Sequence, residues 1–308
     1  MPRDREAQQS RARASLLGLA IGDALGAPVE FKQRDSFPEV RDMKSGGYFR
    51  LPAGAWTDDT AMALCLGESL LHAQQLDPRD LLDRFSRWLF ENENTSTGQC
   101  VGAGQNTFAT IGNYRRTGAL LAPRINHRSD GNGALMRLAP VACRYWSQAS
   151  IARAIARRQS STTHASDLSA AACEALANLL CSLIAGESWS QAIGWLAVDP
   201  CPEELQPICN GDWRSKARSA IESSGYVLHT LEAALWAVET TTSFEEALVA
   251  AVNLGGDADT VGAVTGQIAG ALYGVGAIPP RWQSALIQRE RIEEIGAALF
   301  AASLPPSN

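Results

Sequence analysis

Two short acidic motifs lie near opposite ends of this 308-residue chain and offer the ligands of one metal site. The first is Thr57-Asp58-Asp59-Thr60 and the second is Asp257-Ala258-Asp259-Thr260. Each motif places two carboxylates and a hydroxyl at the predicted start of a helix. Neither has His or Cys beside it, and such an all-oxygen set suits Mg²⁺ or Mn²⁺ better than zinc. If the fold joins the motifs, they predict a metal-dependent hydrolase.

Helix capping is the alternative explanation of each motif, because Thr is a good N-cap and the helix dipole favours acids in the first turn. Capping alone explains Thr57-Asp58-Asp59-Thr60 when that motif is considered in isolation. The second motif follows Gly255-Gly256, and apolar residues follow both motifs, where lone buried carboxylates would be costly. The pair therefore favours a shared site. Two divalent cations about 3.5–4 Å apart would relieve the repulsion and activate a bridging water.

Two glycine series suggest how the motifs meet. In each series Gly recurs every fourth residue, although each Gly in a helix interior costs up to about 1 kcal/mol. We infer that helices over 15–27 and 257–275 are central and tightly packed, on each other or on other helices. The alternative is coincidence in a chain rich in Ala and Gly. The glycines are Gly18, Gly22 and Gly26 in one series and Gly262, Gly266, Gly270 and Gly274 in the other.

Two acidic residues near the first glycine series are further candidates for the site. Pro28 ends the first predicted helix, and Glu30 follows in an otherwise apolar stretch. Glu30 is either an ordinary surface acid or the acid/base group of the site. Asp23, next to Gly22, is predicted to hold the end of a neighbouring helix.

Further loops and side chains are candidate ligand contacts. Residues 98–104 contain three glycines and precede a predicted helix, so their N–H groups can bind an anion. Residues 130–134 contain Asn-Gly, which marks a turn or positions an amide against a sugar or phosphate. His164 is either a hydrogen-bonded structural residue or a ligand contact. Tyr226 is either a stacking ring or simply packed.

The hydrophobic periodicity predicts an all-α fold. Apolar residues recur at helical spacing over 166–184, with Ser166 as N-cap, and runs of alternating β-branched residues are nearly absent. We expect a single compact domain over 1–308 with its core at about 14–303 and a flexible or helical extension at 1–13. Further helices are predicted near 78–91, 104–116, 133–146, 148–158, 212–222, 227–239, 243–253 and 281–302.

Composition excludes several functional classes. A net charge of -6 argues against nucleic acid as the main partner. The polar N-terminus and the absence of a run of about 18 apolar residues predict neither a signal peptide nor a membrane span. The seven Cys are scattered without a C-x-x-C pair, which favours a reducing cytoplasm. The acidic surface and the lack of a coiled coil suggest a monomer.

These motifs, in this order, resemble the ADP-ribosylglycohydrolase family. The resemblance spans about residues 14–285, and the ordered set is far more specific than any single motif. The matching stretches are GLAIGDALGAPVEF (18–31), WTDDTAMAL (56–64), GNGALMR (131–137), THASDLSAAA (163–172), SGYVLHTLEAALWA (224–237) and NLGGDADTVGAVTGQIAGALYG (253–274).

The resemblance implies an all-α orthogonal multi-helix domain with two Mg²⁺ or Mn²⁺ ions that removes ADP-ribose from modified proteins or small molecules. It implies catalytic roles for Glu30, Asp58 and Asp259. The implied metal ligands are Thr57, Asp58, Asp59, Asp257, Asp259 and Thr260. The implied contacts to ADP-ribose are Gly98, Gly102, Gly104, Asn132, Gly133, His164 and Tyr226.

One departure concerns the leaving group. In the nitrogenase-regulating branch, the residue before the glycine that matches Gly98 is an Asp implicated in arginine-directed activity, whereas this chain has Thr97. We expect an arginine linkage, with serine or a small ADP-ribosylated molecule as alternatives. A nucleotide phosphohydrolase and a silent ADP-ribose-binding protein are the rival functions.

Overall fold

The computed structural model describes residues 5–73, 75–124 and 130–303. In these ranges the chain forms fourteen α-helices, several short 3-10 turns and two isolated β-bridges, with no β-sheet. The all-α prediction is confirmed. The helices are α1 (Arg5–Gly26), α2 (Asp58–His72), α3 (Pro78–Glu91), α4 (Gln105–Thr117), α5 (Ala139–Tyr145), α6 (Ala149–Ser161), α7 (Asp167–Ala185), α8 (Trp189–Ala192), α9 (Gln206–Asn210), α10 (Val227–Glu239), α11 (Phe244–Val252), α12 (Ala258–Tyr273), α13 (Pro280–Ala285) and α14 (Arg289–Ala302).

Helices α1 and α12 form the centre of the fold and pack backbone against backbone. A Cβ atom added to Gly22 would lie 2.0 Å from the carbonyl oxygen of Gly262, and one added to Gly266 would lie 1.9 Å from that of Gly18. Only glycine permits this approach. The pairing runs antiparallel, so the end of α1 lies beside the start of α12, where Gly26 faces Ala258. The two glycine series therefore pack on each other.

The other helices surround this pair. α14 packs on α1, while α10 and α11 pack on α12. Helix α7 is buried along nearly its whole length. Among the described helices it alone is long and apolar enough to cross a membrane, and 94% of its most apolar window is buried inside the protein. That burial is typical of a core helix.

The segment predicted as a flexible or helical extension is helical from Arg5 onward and continuous with α1. The chain differs from the predicted helices in three places. The predicted helix over 133–146 is regular only from Ala139, since residues 131–137 form turns at the site described below. The region predicted as a helix over 212–222 contains 3-10 turns, and the Arg34 side chain binds the carbonyl oxygens of Arg218 and Ile221.

The third difference is a break in the helix predicted over 281–302. Gln288 adopts a left-handed conformation between α13 and α14, with φ 58°. The Ile287 backbone beside it is paired with the chain before α2: its N–H donates to Gly54 O at 3.0 Å, and its carbonyl accepts from Trp56 Nε1 at 2.9 Å. The break thus supports the segment that leads into the first acidic motif.

Candidate active site

Three helix ends meet at the candidate site: the end of α1 and the starts of α2 and α12. Asp23 of α1 is fully buried and binds the first turn of α2. Its carboxylate accepts from the N–H groups of Thr57 (2.9 Å) and Thr60 (3.0 Å) and from both hydroxyls (2.9 and 2.6 Å). Asp23 therefore caps α2, as predicted for a residue holding a helix end. Thr57 makes no side-chain cap bond, so simple capping does not explain its motif.

The two acidic motifs lie together, and Glu30 joins them. Carboxylate oxygens of Asp23, Asp59 and Asp259 lie within 4.8 Å of one another, as do those of Glu30, Asp257 and Asp259. Asp259 belongs to both groups, which is the arrangement expected where one carboxylate serves two neighbouring cations.

Asp58 lies at the same site and packs against Gly102. It lines the cavity described below, and a Cβ atom on Gly102 would lie 2.1 Å from its Oδ1. Gly102 also has φ +84°, so both space and backbone conformation require glycine there. The predicted diphosphate contact Gly102 therefore packs on a predicted metal ligand.

The donor set fits a hard divalent cation. Three carboxylate oxygens, Glu30 Oε2, Asp59 Oδ1 and Asp259 Oδ1, are buried and have no hydrogen-bond partner in the described part of the chain. Such orphaned oxygens are costly, whereas coordination by Mg²⁺ or Mn²⁺ would satisfy them. The buried hydroxyls of Thr57 and Thr60 add neutral oxygen atoms. These residues fit the metals implied by the sequence.

Burial and crowding raise the pKa values of this cluster. Desolvation, reinforced by neighbouring carboxylates, raises the pKa values of Asp58, Asp59 and Asp259 well above their usual range. Desolvation first, and then the charges of Asp58 and Asp257, raise the pKa of Glu30 to about 8. A divalent cation at the cluster would oppose these shifts, because it favours the ionised forms.

A cavity of about 1030 Å³ opens above the carboxylates. The start of α4 forms one wall, where Gly104 is the N-cap residue and makes no side-chain cap bond. First-turn N–H groups have no partner inside their own helix, and the helix dipole favours an anion there. The wall therefore offers a phosphate site. The lining residues on this wall are Gly102, Ala103, Gly104, Gln105, Asn106 and Thr107.

Asn132 links the cavity to the carboxylate cluster. Its Nδ2 donates to Asp257 Oδ2 at 2.6 Å and to Thr230 Oγ1 at 2.8 Å, and its backbone N–H donates to Gly225 O at 3.1 Å. A predicted ADP-ribose contact thus also orients a predicted metal ligand. Gly131 pairs with Tyr226 in an isolated β-bridge, which fixes this loop against the start of α10.

His164 packs against two glycines of the same loop. A Cβ atom on Gly131 would lie 3.1 Å from His164 Nε2, and one on Gly133 would lie 3.0 Å from Cε1. Burial, and then the charge of Arg137, lower the pKa of His164 to about 3. The ring is therefore neutral at pH 7 and donates from a single nitrogen.

A hydrogen-bond chain determines which nitrogen of His164 that is. The buried Arg137 donates to Thr163 Oγ1 at 2.8 Å, and Thr163 Oγ1 lies 2.9 Å from His164 Nδ1. The Thr163 hydroxyl can accept from Arg137 and donate at the same time, and we assign its proton to the bond with Nδ1. The His164 proton then belongs on Nε2, beside Gly131. Arg137 was not recognised from sequence, although it lies inside the matched GNGALMR stretch.

The cavity contains most of the predicted site residues. Thr57 and Asp59 are buried at the cluster but do not line it. Gly98 is exposed with open space around it, and Tyr226 packs its ring on His229, so neither lines the cavity. The predicted residues that line it are Glu30, Asp58, Gly102, Gly104, Asn132, Gly133, His164, Asp257, Asp259 and Thr260.

Sequence reasoning missed part of the lining. Phe31, Tyr48 and Phe49 form an aromatic patch at the cavity. Phe31 stands next to Glu30 in a matched stretch, which was the available signal. Tyr48 and Phe49 lie in a loop whose fold is set by distant contacts, and their sequence offered no comparable signal.

Comparison with known proteins identifies the family of this chain. The family model described as ADP-ribosylglycohydrolase matches residues 4–307. The chain belongs to the ADP-ribosylglycohydrolase family. This membership confirms the resemblance drawn from the motifs and the predicted enzyme class, a glycohydrolase.

Individual members of the ADP-ribosylglycohydrolase family match along most of the chain. ADP-ribosylarginine hydrolase Tri1 of Serratia proteamaculans is 43% identical over 292 residues, covering 94% of this chain and 79% of the relative. The ADP-ribosyl-[dinitrogen reductase] glycohydrolase of Rhodospirillum rubrum is 35% identical, and the match covers 96% of this chain and 97% of the relative. A solved structure titled ADP-ribosylglycohydrolase-related protein complex has a TM-score of 0.86 and 42% identity, covering 97% of this chain and 100% of that one.

Proposed function

We propose that this protein is a metal-dependent hydrolase that releases free ADP-ribose from modified arginine side chains of a protein. The observation that carries the proposal is the cavity itself. One wall is a helix start suited to phosphate, and the floor is a carboxylate cluster with orphaned oxygens. A ligand with a diphosphate and a ribose would fit these two features together.

Two Mg²⁺ or Mn²⁺ ions are proposed at the cluster. Thr57, Asp58, Asp59, Asp257, Asp259 and Thr260 would hold them. When bound, the ions would polarise ribose hydroxyls and lower the pKa of a bound water. Asp23 would fix the start of α2, and Asn132 would orient Asp257 through its 2.6 Å bond.

The residues around the cluster are proposed to bind and orient the substrate. The first turn of α4 would bind the diphosphate through its N–H groups. His164 Nε2–H would donate one hydrogen bond to an oxygen of the ligand, and the ring would stay neutral across the physiological pH range because its pKa is about 3.

Glu30 is the proposed proton carrier. The bond to be broken joins the anomeric carbon of the ribose to the side chain of the target, and its transition state resembles an oxocarbenium ion. Glu30 Oε2 is buried, lacks a hydrogen-bond partner and belongs to the same cluster as Asp257 and Asp259. Burial and neighbouring charges raise the pKa of this carboxyl group to about 8 in the metal-free protein, and bound cations would lower it toward the neutral range that suits a proton carrier.

The arginine linkage is supported by two relatives named ADP-ribosylarginine hydrolase, from Serratia proteamaculans and Pseudomonas putida, at 43% and 39% identity. Human ADP-ribosylhydrolase ARH3 is more distant, at 28% identity. A different linkage, such as serine, remains the second candidate because of Thr97, which is exposed at the loop before Gly98.

The test is the release of ADP-ribose from an arginine-ADP-ribosylated protein, with Mg²⁺, with Mn²⁺ and with EDTA. We expect release with either metal and none with EDTA. Asp259→Asn should abolish it, because Asp259 belongs to both carboxylate groups. The matched control is Asp212→Asn, at an exposed position outside the cavity lining.

The products and the linkage separate the alternatives. AMP or phosphate in place of ADP-ribose would identify a phosphohydrolase. Release from a serine-linked peptide but not from the arginine-linked protein would refute the arginine assignment and retain the glycohydrolase. Binding of ADP-ribose without release from either substrate would identify a silent binding protein.

A further inference from the structure

Three aromatic side chains form an exposed patch at the cavity, next to Glu30. Phe31 and Tyr48 are 62% and 73% exposed, and Phe49 is partly buried. Their rings meet edge to face, with centroids 5.2 Å apart for Phe31–Tyr48 and 5.1 Å apart for Tyr48–Phe49. All three line the cavity, and we call them the aromatic rim. Clustered exposed apolar groups of this kind mark binding surfaces more often than scattered ones do.

The backbone holds Phe31 in a costly conformation. Its φ is 64°, which is unfavourable for a bulky residue and concentrates at functional sites. Two hydrogen bonds maintain it: Phe31 N–H donates to Gly256 O at 2.7 Å, and Gly256 N–H donates to Lys32 O at 2.8 Å. The residue after Glu30 is therefore tied directly to the loop that precedes Asp257, while its ring remains exposed.

A short hairpin fixes the other two rings on the same side. Gly46 and Leu51 pair in an isolated antiparallel bridge, which places Tyr48 and Phe49 at the hairpin tip. The hairpin packs on the turn after α1, since a Cβ atom on Gly47 would lie 2.6 Å from Ala27 O. The rim is thus attached to the same turn that carries Glu30.

We propose that the aromatic rim is the leaving-group subsite and binds the guanidinium of the modified arginine through cation–π contacts. This deepens the proposed function and rests on it. With the diphosphate at the start of α4 and the ribose at the carboxylates, the group beyond the anomeric carbon lies beside Glu30 and Phe31. Aromatic faces attract a guanidinium, whereas a serine linkage presents no cation to them.

The charged neighbours of the rim are compatible with this assignment. Lys32 and Arg50 adjoin it in sequence, but both are exposed and neither lines the cavity. The carboxyl groups of Glu30 and Asp58 do line it, so a guanidinium that enters past the rim meets oxygen acceptors for its N–H groups. A cation–π contact of this kind occurs elsewhere in the protein, where Arg115 Cζ lies 4.4 Å from the centroid of the Phe90 ring.

Three ligands in one assay with the metal-loaded protein test the proposal. The KM is measured for ADP-ribosylarginine, and competition constants are measured for ADP-ribose and for a serine-linked ADP-ribosyl peptide. The variants are Phe31→Leu and Tyr48→Leu, which keep apolar bulk but remove the ring. Phe90→Leu is the control, because its aromatic ring is also partly exposed but lies outside the cavity lining.

Each rim variant should raise the KM for ADP-ribosylarginine about two- to fivefold, with both competition constants and the control unchanged. A weaker competition constant for ADP-ribose would overturn the proposal, since the rim would then contact the ADP-ribose moiety. Equal losses for the arginine- and serine-linked ligands, or no loss, would overturn it as well. If the wild type does not cleave ADP-ribosylarginine, the proposed arginine linkage fails, and the guanidinium assignment fails with it.

Discussion

Replacing Gly22 by Ala should force α1 and α12 apart and destabilise the protein. The new Cβ would lie 2.0 Å from Gly262 O, 2.3 Å from Gly262 C and 2.8 Å from Ala263 N, whereas real Cβ contacts are essentially never under 3.0 Å. All three atoms belong to the backbone, so no side chain can turn away. The helices must separate locally by about 1 Å, and a gap of about that size forfeits a quarter to a half of the dispersion energy along the seam.

The expected cost follows from this separation. Overpacking a core costs about 1–3 kcal/mol, and the backbone contacts at Gly22 place this substitution at or above the upper end. The gain in helix propensity, about 1 kcal/mol, offsets part of that. We expect a net loss of about 2 kcal/mol, which for a chain of 308 residues corresponds to a midpoint about 3 °C lower in thermal unfolding.

Gly112→Ala is the matched control. Gly112 lies inside α4, is exposed, and has nothing within 4 Å of an added Cβ. The same substitution there should stabilise the protein by about 0.5–1 kcal/mol, because only the propensity changes. The two variants are compared by thermal unfolding under identical conditions. Equal shifts in the two midpoints, or a stabilised Gly22→Ala, would refute the close backbone packing on which the site geometry depends.

Three further predictions concern the site. In EDTA, the free energy of unfolding should fall as pH rises from about 5 to 7. The reason is that Glu30, with a pKa of about 8, stays protonated in the folded protein and ionises on unfolding. The expected slope is about 1.4 kcal/mol per pH unit for each proton that the folded protein retains. Saturating Mn²⁺ should flatten this fall in thermal unfolding; parallel curves would contradict a metal at the cluster. Thr163→Val should weaken ADP-ribose binding about fivefold in calorimetry by removing the bond to His164 Nδ1, and Thr163→Ser should restore it. Asn132→Ala should raise the Mn²⁺ dissociation constant about 10- to 100-fold, because Asp257 loses its 2.6 Å bond; unchanged affinity would exclude that role.

Local patterns predicted much of the fold. The helix predicted over 227–239 has those bounds in α10, and Ser166 caps α7 by accepting a bond from Ser169 N–H. Both cases depend on hydrophobic spacing and capping within one segment. The helix predictions that were wrong concern segments whose conformation depends on contacts with residues distant in the chain. The region 212–222 is not a regular helix, and its carbonyl groups bind the side chain of Arg34 from elsewhere in the chain.

The same distinction applies to the site. The glycine series predicted a long-range contact, because repeated glycines in helix interiors lower helix stability unless close packing requires them. The close packing of α1 on α12 brings Glu30 beside Asp257 and Asp259. No comparable signal marked the exposure of Phe31. Its positive φ is maintained by hydrogen bonds across the contact with Gly256, which is distant in the chain.

These observations connect the stability of the fold to its chemistry. The seam between α1 and α12 places backbone carbonyls against facing glycines, an approach that a side chain would block, and the carboxylate cluster lies at one end of that seam. A buried carboxylate cluster is itself destabilising without cations, since its members repel one another and some oxygens lack donors. The tight seam supplies the rigidity that keeps the carboxylates together, and bound cations would supply the compensating charge. On this argument metal binding should stabilise the end of the seam at Gly26 more than the end at Gly18, and hydrogen exchange of the amides in α1 with and without Mn²⁺ would show the gradient.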